Sequence, residues 1–386
     1  MLFRSADTSI PRISFSGQDV RALTDELRKK HRIVLNELDQ WVLLRHKDIC
    51  QAAKDEQRFS SAVSRFLQIP NGLDGAEHDV FRALIEKYLT LERIEPFVPK
   101  FKEIARNLIT ELLYKDKAID AVYDLGAVFA VRAQCAWLGW PSTLESRLLT
   151  WVKNNQIATR SRNLERTAAV ANEFDDIIRI ALEHKSTEQS ITAQLSADKV
   201  FDRPLEQQEI ISILRNWTSG DLGSMALCIG VLVAHMAKQK DQTTILRQME
   251  AYSDKELELY IDEVLRLDNP FIANRRRTTC AVNIGGHDIP EGEQIVLSWI
   301  SANRDEDVFG VEQFDPAGHA EENLLYGIGR HVCPGRVLAT WQLRTVVREL
   351  LKQVSQIEMI ATRPFIREEA PIGGYKEVPV RFVGRN

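Results

Sequence analysis

Apolar positions recur at helical spacing through most of this chain and at alternating spacing only in short pieces near its two ends. From 76 to about 185 the three-to-four-residue period dominates and predicts a run of helices. Residues 205–238 predict one very long helix, with Asp202, Arg203 and Pro204 at its start. Shorter helices are predicted over 18–30 and 46–55, either side of a strand pair, 33–37 and 41–45, joined at 38–40. Ser253, with Glu256 three residues on, makes a capping box that opens a helix over 253–266. Strand-like pieces return at 278–284 and 294–299, with Gly285-Gly286 and Pro290-Glu291-Gly292 as turns. The last helix covers 336–354 and is apolar on one face through Val337, Leu338, Trp341, Val346 and Leu350. Residues 366–382, which contain Gly373-Gly374, predict a hairpin. The expectation is a mainly α protein with small β-sheets, without internal repeats.

Composition narrows this only slightly. The chain has 386 residues, 44% of them hydrophobic, enough for a large buried core in one large domain or two to three ordinary ones. A net charge of −5 gives no nucleic-acid footprint. The five cysteines (Cys50, Cys135, Cys228, Cys280, Cys333) are scattered and form no Cys-x-x-Cys pair. That argues against a disulfide framework or a four-cysteine zinc site and suits a reducing compartment. The first residues hold no apolar run of signal-peptide length, and no unbroken stretch of eighteen apolar residues occurs. No membrane span is expected, and a cytoplasmic location is.

The candidate chemistry is concentrated in Tyr326-Gly327-Ile328-Gly329-Arg330-His331-Val332-Cys333-Pro334-Gly335. A helix N-terminus, with a dipole worth roughly +0.5 charge, favours an ionised sulfur. Gly327, Gly329 and Gly335 let the backbone pass close to a flat ligand, and Pro334 suits a first helical turn. Alone, Cys333 reads as a small buried hydrophobe. The Gly-x-Gly-x-His-x-Cys-x-Gly pattern running straight into a helix reads instead as a ligand loop. It resembles the haem-binding loop of the cytochrome P450 family, the haem-thiolate monooxygenases, with Tyr326 where that family usually has Phe. The resemblance spans essentially the whole chain. It implies a single domain over 1–386 of cytochrome P450-like fold, with a long central helix over the haem. It further implies haem b, Cys333 as axial ligand to the iron, Gly335 in the cofactor loop, and His331 bonding a haem propionate.

Three other groups acquire meaning beside that loop. Glu263 and Arg266 sit at i and i+3, which by spacing alone is a surface ion pair worth a few tenths of a kcal/mol. The resemblance makes them the family's structural Glu-x-x-Arg, part of a buried charge network. Its usual third member, an arginine after Phe-x-Pro, is missing from Phe314-Asp315-Pro316-Ala317-Gly318-His319, and His319 is the substitute expected. His78 and Arg82, at i and i+4, share a helix face. By resemblance they clamp the haem propionates, carboxylates that need basic partners. A third cation is expected from Arg275-Arg276-Arg277, with Arg276 favoured over Arg277.

The long helix departs from the family pattern. An acid followed by an alcohol normally helps deliver protons to bound dioxygen. Here the register of Asn216-Trp217-Thr218-Ser219-Gly220-Asp221-Leu222-Gly223-Ser224 puts Leu222 and Gly223 at those places. Asp221 and Ser224 lie one residue to either side, about 100° round the helix. Gly220 and Gly223 each cost roughly 1 kcal/mol against alanine and read as close approach of a ligand, an opened turn, or close helix packing. Gly220, Asp221, Gly223 and Ser224 are therefore the catalytic candidates. Substrate contacts are expected from 62–73, 158–167 and 269–273, with Phe271 and Ile272 as an apolar wall and Asn216 and Ser219 as polar contacts.

The function implied is oxidation of a small, largely apolar molecule (a secondary metabolite, terpenoid or fatty-acid-like compound) with O2. Electrons would come from a separate ferredoxin or flavodoxin with its reductase, docked at Arg330, Arg336 and Arg344. The missing acid–alcohol pair leaves open a peroxide-using or non-oxygenating haem-thiolate enzyme. A haem-binding sensor without catalysis is a further alternative, and a zinc site on His331 and Cys333 lacks other ligand spacing.

Overall fold

The computed structural model describes residues 10–64, 66–115, 117–184, 189–311 and 313–385, the side chain of Ser219 excepted. Its axis is the helix Gln207–Ala237, 31 residues long, which opens on a capping box between Glu206 and Glu209. Arg203–Pro204 does not lead into this helix as expected but pairs with Lys199–Val200 as a small antiparallel ribbon. Phe201 and Asp202 take positive φ at the ribbon's turn, so the chain is reversed before the helix begins.

Around this helix pack the π-helical turn Ala121–Ala127 and the helices Val128–Leu138, Asp254–Leu267 and Arg336–Gln353. The π-turn approaches closely because Gly126 has no side chain: a Cβ there would lie 2.6 Å from the Ala226 carbonyl oxygen. Ile213, Leu214, Leu222, Ala226 and Val233 are fully buried in the large core that results. Among the described residues the central helix is the one long and apolar enough to cross a membrane. Asp221 and several small residues interrupt its apolar run, and 67% of its most apolar stretch is buried inside the protein.

A six-stranded sheet forms the other end, in the order Arg12–Ile13, Ile33–Asn36, Trp41–Leu43, Gln294–Ser298, Ala273–Thr278, Phe59–Ser60. The strand Ala273–Thr278 starts before the position expected and carries all three consecutive arginines. Strand alternation buries Arg276 and turns Arg275 and Arg277 outward. Of the predicted C-terminal hairpin, Ile366–Arg367 does pair with Tyr375–Glu377. The final strand, Pro379–Gly384, instead joins Val354–Met359, which follows the last helix without punctuation and was not anticipated. The helix Gln242–Ala251 was also missed, since it buries only Leu246 and Met249 and shows little period.

A buried charge network fixes the segments between sheet and helices. Glu263 and Arg266 are each 1% exposed, so theirs is not a surface pair. Arg266 donates twice to Glu263, at 2.6 and 2.8 Å, and also to the carbonyls of Asn303 and Gln313. His319 Nδ1 lies 2.8 Å from Glu263 and 3.3 Å from Arg266, filling the third place. Burial pushes the Glu263 carboxyl up, but hydrogen bonds from Arg266 and His319 outweigh it and hold the group below its ordinary 4.5. Breaking such a pair costs about 3–5 kcal/mol because the partner charge stays buried. Arg266→Met should therefore lose that much in urea unfolding at neutral pH. The stabilisation is present above about pH 4.5 and is lost as pH falls through the lower folded-state value. The gap between the variant and the unmodified protein should narrow in acid; a gap independent of pH would contradict the assignment.

Candidate active site

The cysteine loop is held by backbone bonds and one forced contact. Cys333 N–H donates to the Tyr326 carbonyl at 2.8 Å, closing the loop just before the Arg336–Gln353 helix. Gly329 has φ +79°, and a Cβ on it would lie 2.9 Å from the Ala53 carbonyl oxygen, so only glycine fits against the helix His46–Lys54. Cys333 keeps accessible surface although protein crowds it on all sides, which places its sulfur on an internal space. The expected ionisation by the helix terminus is not what the protein alone produces. Burial and the nearby Asp221 push the thiol up to about 11, outweighing the Gly335 amide and the arginines Arg82 and Arg336. A bound metal ion would reverse this, since a coordinating thiol loses its proton.

Beside the loop lies a concentration of basic groups. His78 is fully buried, and its ring centroid is 4.2 Å from that of His331. Neither ring nitrogen of His78 makes a hydrogen bond; the nearest carboxylate, that of Asp79, is 3.5 Å from Nδ1. His331 Nε2 is 3.0 Å from Ser61 Oγ and 3.8 Å from Asp74. Arg276 is buried and donates only to the Arg275 carbonyl, with no carboxylate at ion-pair distance among the described residues. Arg82 has a partner, Glu86, at 2.6 Å. Burial and the charge of Arg276 push His331 down to about 3, and burial lowers His78 and Arg276 as well. All three shifts have one main cause: burial, which penalises the charged form more than the nearby Asp74 and Asp79 offset it.

On the opposite side of the sulfur stands the central helix. A Cβ built on Gly335 would lie 3.8 Å from both Asp221 Oδ1 and Cys333 Sγ, so the acid and the thiol converge there. A Cβ on Gly220 or on Gly223 meets nothing within 4 Å. The close-packing account of those two glycines is therefore excluded; they border open space. Burial pushes Asp221 up to about 7, partly opposed by Gln134 on the helix Val128–Leu138. Ser224 is half-buried on the same helix, and Leu222 is core.

Several expected contacts fall elsewhere. Asn216 donates to the carbonyls of Ile69 and Ser212, at 3.0 and 2.9 Å, while Ser212 Oγ accepts from Ile69 N–H and donates to Leu67. It therefore clasps the loop before the Gly75–Glu86 helix instead of offering a free amide. Ile272 packs beneath the sheet with Val34, Val42 and Ile300, so it is core and not pocket wall. Phe271 keeps 48% of its surface open. The Ser219 side chain lies outside the described residues. Arg344 is buried, paired with Glu258 at 2.6 Å and stacked over Trp341, so it cannot greet a partner. Arg330 bonds Glu56, and Arg336 remains exposed. Ser61, Asp74 and Gln134 were not foreseen, because long-range folding alone brings them here.

The comparisons agree with this geometry. Residues 255–363, which hold the Glu263–Arg266 pair and the cysteine loop, match the family model described as Cytochrome P450. A cyclomarin C epoxidase from Salinispora arenicola is 25% identical over 95% of this chain and 96% of its own length. By these matches the chain is similar to the cytochrome P450s, over 255–363 by the family model and along most of its length by its relatives. Linalool 8-monooxygenase of Pseudomonas putida is 26% identical over 89% of each chain. The P450 fold is matched by CYP109Q5 from Chondromyces apiculatus, with a TM-score of 0.85 at 20% identity over 97% of this chain and 99% of that one. A mutant of P450 EryK in complex with erythromycin B gives 0.81 at 22% identity, over 94% and 96%.

The P450 family and fold imply a haem ligated by a cysteine thiolate. The residues present fit one. His78 without a hydrogen bond, Arg276 without a carboxylate at ion-pair distance among the described residues, and His331 and Arg82 beside them suit a ligand bearing two carboxylates. A charge-assisted hydrogen bond contributes roughly 1.5–3 kcal/mol, so Arg276→Met should weaken haem retention about 10- to 100-fold, read by transfer to a haem scavenger. The same change should leave the haem-free protein equally or more stable, because it removes an uncompensated buried cation. Unaltered haem retention would contradict this reading.

Proposed function

We propose that this protein is a haem-thiolate monooxygenase acting on a small, largely apolar secondary metabolite or terpenoid. Cys333 would supply the thiolate that holds haem b, within one catalytic domain over 1–386. The observation carrying the proposal is the convergence of Cys333, the glycine-bordered space on the central helix and the partner-short basic cluster. Its named relatives support the class, since they include an epoxidase, a monooxygenase and an erythromycin C-12 hydroxylase. When bound, the haem supplies what no side chain can: activation of dioxygen and insertion of one oxygen atom into the substrate.

The chain's own residues do the rest. His78, Arg82, Arg276 and His331 would neutralise the two propionates and fix the macrocycle's orientation. Gly220 and Gly223 border open space on the central helix, where a substrate and dioxygen would be accommodated. Cys333 would hold the haem iron through its sulfur, the type of ligand that favours cleavage of dioxygen. Burial has raised the Asp221 pKa to about 7, so its carboxyl can both hold and release a proton near neutral pH. Ser224, one turn on, offers a hydroxyl. Electrons would arrive from a ferredoxin or flavodoxin on the cysteine side, where Arg336 is 57% exposed. The setting we propose is cytoplasmic.

The peroxide-using reading retains one specific support: Leu222 and Gly223 occupy the usual acid–alcohol places. Turnover driven by NADPH, reductase and ferredoxin, compared with turnover driven by hydrogen peroxide, separates the two. We expect donor-driven product to exceed peroxide-driven product at least tenfold. Efficient peroxide turnover with negligible donor-driven product would overturn the monooxygenase reading.

A further inference from the structure

The interface between the central helix and the helix Val128–Leu138 carries polar groups that packing does not satisfy. Gln134, Trp137, Trp217 and Thr218 are 1%, 1%, 6% and 0% exposed. Both side-chain polar atoms of Gln134, the Nε1 of both tryptophans and Thr218 Oγ1 make no hydrogen bond. Trp217, Thr218 and Asp221 lie on one face of the central helix, and Gln134 and Trp137 on the facing stripe of its neighbour. The two stripes meet at both ends: the Trp137 and Trp217 rings are 5.3 Å apart, and Gln134 is close enough to Asp221 to lower its pKa without a hydrogen bond of normal length. Five unpaired polar atoms in one continuous seam cannot be accidental losses, because native interiors pair such groups with protein or with ordered water.

The seam has two ends of different character. Inward it reaches the Asp221 carboxyl beside Gly335 and Cys333. Outward, Trp217 meets the ring of Tyr88 at 5.7 Å, and the Tyr88 hydroxyl donates to Asp198. Asp198 is 20% exposed, where Lys87 also binds it at 2.5 Å.

We propose that this seam holds a file of ordered waters, anchored by Gln134, Thr218, Trp137 and Trp217, that carries protons from Tyr88 and Asp198 to Asp221. The inference rests on the monooxygenase reading. That reaction converts substrate C–H, one O2, two electrons and two protons into C–OH and one H2O. The electrons come from the donor protein. The protons have no relay through Leu222 and Gly223, which carry no exchangeable side-chain hydrogen. Asp221 gives a proton from its carboxyl towards the reacting side, and a neighbouring water restores it. Thr218 and the waters pass protons by exchanging donor and acceptor roles. The indole N–H groups only donate, so they hold waters in place and relay nothing. Gln134 is thus a positioning residue, whereas Thr218 is itself a member of the relay.

The test joins a structure to a coupling measurement on the haem-loaded protein. A high-resolution crystal structure should place waters on Thr218 Oγ1, Gln134 and the indole nitrogens. Side chains turned to bond one another, with a dry seam, would overturn the route. Thr218→Val should lower product formed per NADPH consumed by about tenfold or more and change the solvent isotope effect. Thr218→Ser, which keeps the hydroxyl, should restore both. Valine coupling within twofold of the unmodified protein, at normal haem content, would overturn the proposal. Failure of the unmodified protein to bind haem or turn over would sink the functional reading instead, leaving the water file to be judged on the crystal structure.

Discussion

The close meeting of the cysteine loop with the central helix is the constraint on which the other features depend. At Gly335 the Asp221 side chain of the central helix comes within reach of the loop: a Cβ there would lie 3.8 Å from its Oδ1. To bring them there, Gly329 must pass against Ala53, and Gly126 must let a π-turn press on Ala226. The basic strand and the Gly75–Glu86 helix then close on the same space from the sides, with Arg276 and His78 turned inward. Neither Gly329 nor Gly126 can take a side chain without moving backbone, so part of the pocket's shape is written in the absence of atoms.

Two ionic clusters in this protein look alike in sequence and differ in physics. Glu263, Arg266 and His319 satisfy one another and nearby carbonyls, leaving little for an external ligand. The group around His331 is not closed in this way: His78 makes no hydrogen bond, and Arg276 has no carboxylate at ion-pair distance among the described residues. The first cluster ties helices to sheet. The second is arranged for an anion to arrive. The cost of unpaired buried charge thus separates structural from ligand-binding residues more sharply than residue type does.

How much of this was legible in the sequence follows from the range of the forces involved. Local rules gave the capping box at Ser253, the shared face of His78 and Arg82, and the turn glycines around Cys333. Strand alternation singled out Arg276 once the strand was seen to begin at Ala273. The misjudged residues were those whose partners lie far along the chain. Asn216 was read as a free amide, yet Ile69 had already claimed it. Arg344 was read as an exposed cation, yet Glu258 and Trp341 cover it. Gln134 gave no local signal at all, because its meaning arises only opposite Asp221.

The account as a whole stands on sulfur ligation by Cys333, and the most direct measurement is the absorption spectrum of the reduced, haem-loaded protein under carbon monoxide. Thiolate ligation predicts the far-red-shifted Soret band, and Cys333→Ala should abolish that band even where some haem is retained. A spectrum of the nitrogen-ligated type in the unmodified protein, or a red-shifted band that survives the substitution, would contradict the assignment.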